Sequence, residues 1–461
     1  MEKKPSIIQT LLLLLVIMSL IITSMFVLKV EPHIPLFASL VIAVLFGLAL
    51  KVKWADVEKA MIDGVKIGIK PIFILALVGM VIAVWMMSGT VPTLLFYGLS
   101  IISPEWFAVS TLFICMIVSS FTGSSFTTVG TIGVAMMGIG IALGVAPAIA
   151  AGAVVCGACF GDKMSPLSDT TNFAPGIVGV DLFEHIRHLL WTTIPSFVIT
   201  VFLFLLIGRS QTAASSNDIA GMLTSINDHF SIGILTLLSP ILVVFLAMRR
   251  YPTIPVLIIG IGSGLVTAAF MQGNVAIAEW FTVIQHGFVI DTGNEVIDGI
   301  VNRGGLQSMM WSISLVMIAL ILGGVIQRIG VIETLLQSLT RRLSSRGNVI
   351  AATAASSIGV NVVTGEQYLS ILLPGKTFEA FYDKLNVAKK NLSRTLEDAG
   401  TLVNPLIPWG VSGAFFASTL GVDVIEYLPF AFFLLLSPIM TVLFGYLGIG
   451  VGEKTIQKEN G

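Results

Sequence analysis

The chain has 461 residues, of which 55% are hydrophobic and only 11% charged, with a mean hydropathy of +0.96. An ordinary soluble domain carries about 25% charged residues, so too few polar side chains are present to cover a water-facing surface and lipid must solvate most of it. The net charge of -1, without any basic block, argues against a nucleic-acid partner.

Apolar stretches of about 17–25 residues are read as membrane-spanning helices. Ten are expected, at 8–30, 34–50, 71–88, 147–168, 190–208, 231–248, 253–270, 305–327, 398–420 and 428–450. The first follows Lys3 and Lys4 and is too long, with no small-residue cleavage site, for a signal peptide. Two more apolar stretches, 104–145 and 347–375, are interrupted near their middles by Gly, Ser, Thr and Asn. Each half looks short for a span, so both are read as re-entrant hairpins, which survive at membrane depth only where protein or a polar cavity surrounds them. The polar segment 181–189, with His185 and His188, reads as a solvated interfacial helix. Cys156 and Cys159 form a CxxC among small residues, without a histidine or second pair, and read as helix filler.

Lys and Arg placement orients these segments. Lys3, Lys4, Lys51, Lys53, Lys59, Lys66 and Lys70 fall on the cytoplasmic side, as do Arg187, Arg249, Arg250 and the Lys/Arg cluster from Arg341 to Lys390. Lys454 and Lys458 put the C-terminus inside as well. No Lys or Arg occurs between Lys70 and Lys163, so the first hairpin should open outward and the second toward the cytoplasm. Arg209 and Arg303 are the two exceptions.

An internal repeat runs through the chain. Ile62-Asp63-Gly64 corresponds to Ile297-Asp298-Gly299, and Gly89 with Thr93-Leu94-Leu95 corresponds to Gly330 with Thr334-Leu335-Leu336. At a constant offset of 242, Thr122-Gly123 matches Thr364-Gly365, Asp162 matches Asn404, Pro166 matches Pro408, and Gly179-Val180-Asp181 matches Gly421-Val422-Asp423. The expected organisation is a first repeat at 1–208, an outside linker at 209–230 and a second repeat at 231–461. Five spans per repeat is an odd number, so the second repeat enters from the opposite side. The fold class is therefore an all-α polytopic membrane protein with two inverted-topology repeats, a plan that places substrate where the repeats meet.

The polar residues at membrane depth concentrate in four places. Residues 161–172 (GDKMSPLSDTTN) follow an almost wholly apolar helix, and Pro166 should break it. The freed carbonyls, together with carboxylates, hydroxyls and an amide, suit a hard cation such as Na+. The matching run, Glu397 to Pro405, combines acids, an amide and a helix-breaking proline. The hairpin tips add Thr122, Ser124 and Ser125 in the first and Thr364 and Glu366 in the second. Asp162, Asp169, Glu366 and Asp398 are the candidate acids, since ionisable groups inside a membrane usually mark an ion or proton path. Lys163 is a possible internal counter-ion. Thr122, Ser124, Ser125, Thr364, Asn172 and Asn404 are candidate neutral ligands. A channel would need a continuous polar stripe, which these spans lack, and no HExxH, nucleophile elbow or phosphate loop suggests an enzyme. No soluble domain large enough to bind ATP is visible, so coupling is expected to run on ion gradients without a cofactor.

The motif at 161–176 (GDKMSPLSDTTNFAPG), the segment Asp181 to His188 and the upstream Thr122-Gly123-Ser124-Ser125 together resemble the NhaC family of bacterial Na+/H+ antiporters. The resemblance runs along nearly the whole chain. It implies exchange of cytoplasmic Na+ for external H+, an elevator-like movement, a homodimer and a place in the inner (plasma) membrane with both termini cytoplasmic. Some proteins resembling this one instead exchange a proton-coupled dicarboxylate for lactate and Na+, and the acidic run does not separate the two. A small carboxylate therefore stands beside Na+ and H+ as possible cargo.

Overall fold

The computed structural model describes residues 4–209, 216–273, 276–340 and 343–452. Lys3, Arg341, Arg342, Lys454, Lys458 and residues 210–215 of the expected linker, all used in the topology reading above, lie outside them. The described residues form helices and contain no strand element. Eight helices are long and apolar enough to cross a bilayer, or eleven if each of three bent pairs is one span. Three of the eight belong to the stretches expected as hairpins, which the ten expected spans leave out.

Helix α1 (Ile7–Ile22) opens with a capping box, in which Ser6 and Gln9 each accept a bond from the other's backbone N–H. It is followed by α2 (His33–Ala49) and by α3 (Trp54–Met87), which runs for 34 residues. The span expected at 71–88 is thus the second half of a longer helix. Pro71 sits inside it without ending it, and the lysine-bearing stretch before Pro71 is helical rather than loop. After α4 (Thr90–Ile101), α5 (Pro104–Thr122) and α6 (Ser125–Ala142) form the first hairpin. The premise that its halves are short is corrected, because they have 19 and 18 residues and each meets the length for a span.

The next three helices carry the polar motif and its surroundings. Helix α7 (Pro147–Met164) and α8 (Asp169–Val178) are bent by 46° at residues 165–168. Helix α9 (Leu182–Gly208) is continuous for 27 residues. The interfacial segment expected at 181–189 is therefore its first turns. His185 and His188 are buried rather than solvated, because they are held by Ser393 and Asn391 at 2.8 and 3.0 Å. A surface-segment reading fails here because the partners come from sequence about 200 residues away.

The connection onward contains α10 (Ser216–His229) and α11 (Ile234–Met248), with an 86° bend between them. Then come α12 (Thr253–Met271), the short α13 (Ile277–His286) and α14 (Glu295–Val301), and α15 (Gln307–Ile329). The second hairpin follows α16 (Val331–Leu339) and consists of α17 (Arg346–Thr364) and α18 (Gln367–Lys384), whose second helix outruns the expected 375 by nine residues.

The span expected at 398–420 is not one helix. After α19 (Lys389–Leu396) the chain passes through a π turn at Glu397–Thr401, a 3-10 turn at Asn404–Leu406 and α20 (Val411–Leu420). Pro405 and Pro408 remove two backbone donors in this stretch, so a regular ladder cannot pass through it. Helices α21 (Val424–Tyr427) and α22 (Phe432–Leu447) complete the chain.

Helix boundaries recur at the offset of 242. Helices α5, α6 and α8 share first and last residues with α17, α18 and α20 at that spacing. Each hairpin reverses at a glycine in the left-handed region, Gly123 (φ 64°) and Gly365 (φ 67°), a conformation that side chains with a Cβ adopt poorly. The next residue, Ser124 or Glu366, then caps the returning helix through its side chain.

Candidate functional site

The first helix break is built by local side-chain substitution for backbone partners. Helix α7 ends beyond Lys163, leaving its last carbonyls without helical donors. Thr171 Oγ1 donates to the carbonyls of Asp162 (3.2 Å) and Lys163 (3.1 Å), while Asn172 Nδ2 donates to those of Pro166 (2.9 Å) and Ser168 (2.7 Å). Ser168 caps α8 by accepting from Thr171 N. Asn172 is consumed in this clip and is exposed. The break is therefore a fixed, hydrogen-bonded bend.

Asp162 points from this bend to the first hairpin tip. Its Oδ2 accepts from Ser125 N (3.0 Å) and from Ser125 Oγ (2.6 Å). Close approach of α5 and α7 makes the contact possible: a Cβ on Gly161 would stand 2.4 Å from the Met116 carbonyl oxygen. Thr122 and Ser124 bond mainly within the tip. Ser124 Oγ accepts from Thr127 N and Oγ1, and Thr122 Oγ1 lies 3.3 Å from Thr128 Oγ1.

The second break meets the second tip through amides. Buried Asn404 donates to Asn361 Oδ1 (2.8 Å) and the Gly365 carbonyl (3.0 Å), and its Oδ1 accepts from Ser412 N (2.7 Å). Asn361 donates in turn to the Gly400 carbonyl. The first half repeats this last contact at the offset of 242, where Ser119 Oγ donates to the Ala158 carbonyl at 2.6 Å. Thr364 Oγ1 donates to the Val360 carbonyl and accepts from Glu366 N, and Glu366, 3% exposed, accepts from Leu369 N at 2.8 Å.

Asp398 belongs to a different environment. Both it and Lys163 are sealed from solvent, and they form an ion pair across the two halves. Thr192 and Thr441 donate to its other oxygen, and the Lys163 ammonium lies 5.4 Å from the centre of the Phe433 ring. The expected counter-ion role of Lys163 is thus satisfied by a carboxylate of the other half. Cys156 and Cys159 are free and buried.

A cavity of about 650 Å³ runs along the first break. Its walls include Thr122, Ser124, Asp162, Asp169 and Thr170 from the first half and Gln367 and Tyr368 from the second, with Lys70 and Arg250 nearer its rim. Asp169 is 63% exposed and pairs with Lys70 at 2.6 Å. Among the described residues no three His, Cys, Asp or Glu side chains are grouped to hold a metal ion. Asp162 and Asp169 share the cavity, Glu366 stands at the neighbouring tip and Asp398 lies in its own ion pair. Sequence reasoning did not single out Tyr368, which lies within electrostatic range of Asp169, Glu366, Asp162 and Glu397. Nor did it separate Glu397 from its run. No spacing signal marked either one, because both acquire their place from the packing of the second half against the first.

The description "Na+/H+ antiporter family" fits a family model that matches residues 157–449. The chain is 82% identical to the Na+/H+ antiporter NhaC of Alkalihalophilus pseudofirmus over 454 residues, covering 98% of each chain. It is 52% identical to the Na+/H+ antiporter NhaC of Bacillus subtilis, over 94% of this chain and 96% of the other. It is also 35% identical to the malate-2H+/Na+-lactate antiporter of Bacillus subtilis, over 96% of this chain and 95% of that one.

Proposed function

The chain belongs to the Na+/H+ antiporter family, and from that premise we propose that it exchanges cytoplasmic Na+ for external H+, driven by ion gradients. The observation that carries the reading is Asp162, a carboxylate at a helix break, bonded to a hairpin tip and set in the wall of a cavity lined by both halves. A carboxylate in such a place holds either a proton or a cation, and the competition between them couples the two fluxes when the empty site does not reorient. Ser125, Thr122, Ser124, Glu366 and Thr364 supply oxygens at the two tips, and Asp169 stands in the cavity mouth. Asn172, Asn404 and Asp398 brace the breaks.

The proposal extends to architecture. Residues 1–208 and 231–461 are inverted repeats joined by an outside linker, which the shared helix boundaries at one offset support; the hairpins 104–145 and 347–375 are re-entrant, a reading that rests on their polar tips at Gly123 and Gly365 rather than on helix length. The protein acts as a homodimer in the inner membrane with both termini cytoplasmic, and the repeats move in an elevator-like manner.

The test is Na+-induced proton release from proteoliposomes holding the purified chain. A second reading, exchange of a small carboxylate, is favoured by one feature: Lys70 and Arg250 line a cavity roomy enough for an organic acid. If no Na+ gradient moves protons while malate exchanges for lactate, that reading replaces the first.

A further inference from the structure

The acid of the second break that touches the site is Glu397, the neighbour of the ion-paired Asp398. Glu397 is fully buried at the start of the π turn. Its Oε1 accepts from Thr170 Oγ1 at 3.3 Å, and Thr170 itself lines the cavity beside Asp162. Its Oε2 and the buried Thr401 Oγ1 make no hydrogen bond of full geometry with any described group, and the Thr401 hydroxyl stands beside the same carboxylate as a loose donor. Asp162 and Lys163 lie within electrostatic range.

A buried carboxylate oxygen without a donor is costly, since neither water nor protein compensates its desolvation. Asp398, one residue on, shows what compensation looks like: an ammonium and two hydroxyls. Glu397 receives the Thr170 hydroxyl at 3.3 Å and the Thr401 hydroxyl only loosely. What its free oxygen lacks is a cation, and the groups around it are oxygen ligands of the kind a hard cation takes.

Resting on the antiport reading above, we infer that Glu397 is the second carboxylate of the Na+ site. It faces Asp162 across the junction of the two halves, with Thr170 and Thr401 as hydroxyl ligands. A cation held there touches both broken helices at once. Occupancy is therefore sensed by the two halves together. Nothing in the first repeat matches Glu397, since the position 242 residues earlier is Val155.

The experiment compares wild type, Glu397→Gln and Thr401→Val, purified whole. It reads the Na+ concentration for half-maximal proton release in proteoliposomes and the Na+-induced rise in melting temperature in detergent. Loss of a charged ligand should raise the half-maximal Na+ concentration about tenfold or more in Glu397→Gln and suppress its Na+-induced thermal shift. Thr401→Val should show the same change at roughly threefold, as expected for one neutral ligand. Glu397→Gln with wild-type Na+ dependence and thermal shift overturns the assignment. Should that variant fail to fold, unchanged Na+ dependence in Thr401→Val overturns it equally. A wild type that shows no response to Na+ at all brings down the antiport reading and this site with it, whereas a responsive wild type whose variants respond as it does removes Glu397 alone.

Discussion

The two helix breaks occupy equivalent positions in the repeat, yet they use their polar residues differently. At the first, Asp162 presents a carboxylate to a cavity, where it accepts from the backbone and side chain of Ser125. At the second, the residue in register is Asn404, whose amide is spent on Asn361, Gly365 and Ser412. One break keeps a charge available, and the other converts the same geometry into a staple. Duplicated architecture thus leaves the residue in register free to differ, an open carboxylate at one break and a hydrogen-bonded amide at the other.

Substitutions that exchange or remove these roles test the contrast. The largest effect is expected from Asp162→Asn, which should reduce Na+-induced proton release in proteoliposomes to background while leaving expression and melting temperature near wild type. A fully active variant would remove the first break from the site. Next is Lys163→Met, which leaves Asp398 buried without its ammonium. Breaking such a pair costs about 3–5 kcal/mol, to be seen as a lower melting temperature and poor yield, with recovery when Asp398→Leu is added. Asn404→Ala should cost roughly 1–3 kcal/mol for the buried groups it strands. Because its role is structural, transport per folded molecule should persist; loss of transport without loss of stability would place Asn404 itself among the ion ligands. The smallest effect is expected from Asp169→Asn. Its pair with Lys70 is more than half exposed, and such pairs contribute about 0–1 kcal/mol and are screened by salt. A change of a few-fold at most in apparent Na+ affinity, shrinking at high ionic strength, is the expected readout.

Much of this was legible in the residues. Composition specified the solvent, and polar interruptions of apolar runs located both tips and both breaks. The glycines at 123 and 365 and the prolines at 166, 405 and 408 are local signals that need no tertiary knowledge. Long-range pairing was not legible. His185 and His188 read as surface residues because a segment of Glu, His and Arg looks solvated until Asn391 and Ser393 cover it. Asp398 and Glu397 are adjacent acids that chemistry alone does not rank. Only the packing of the second half gives one a lysine and leaves the other facing Thr170. Helix α3 was underestimated for the opposite reason: charged residues suggested a loop, yet one face of those turns packs against α15.

The Lys163–Asp398 pair also bears on how the chain can be assembled. Each half contributes one buried charge of an ion pair whose partner lies in the other half. Produced as two separate fragments, the halves would each have to carry an uncompensated ion into the bilayer, so neither should accumulate in folded form alone. Co-production should rescue both, making the pair an obligate checkpoint for complementation and tying biogenesis of the first half to completion of the second.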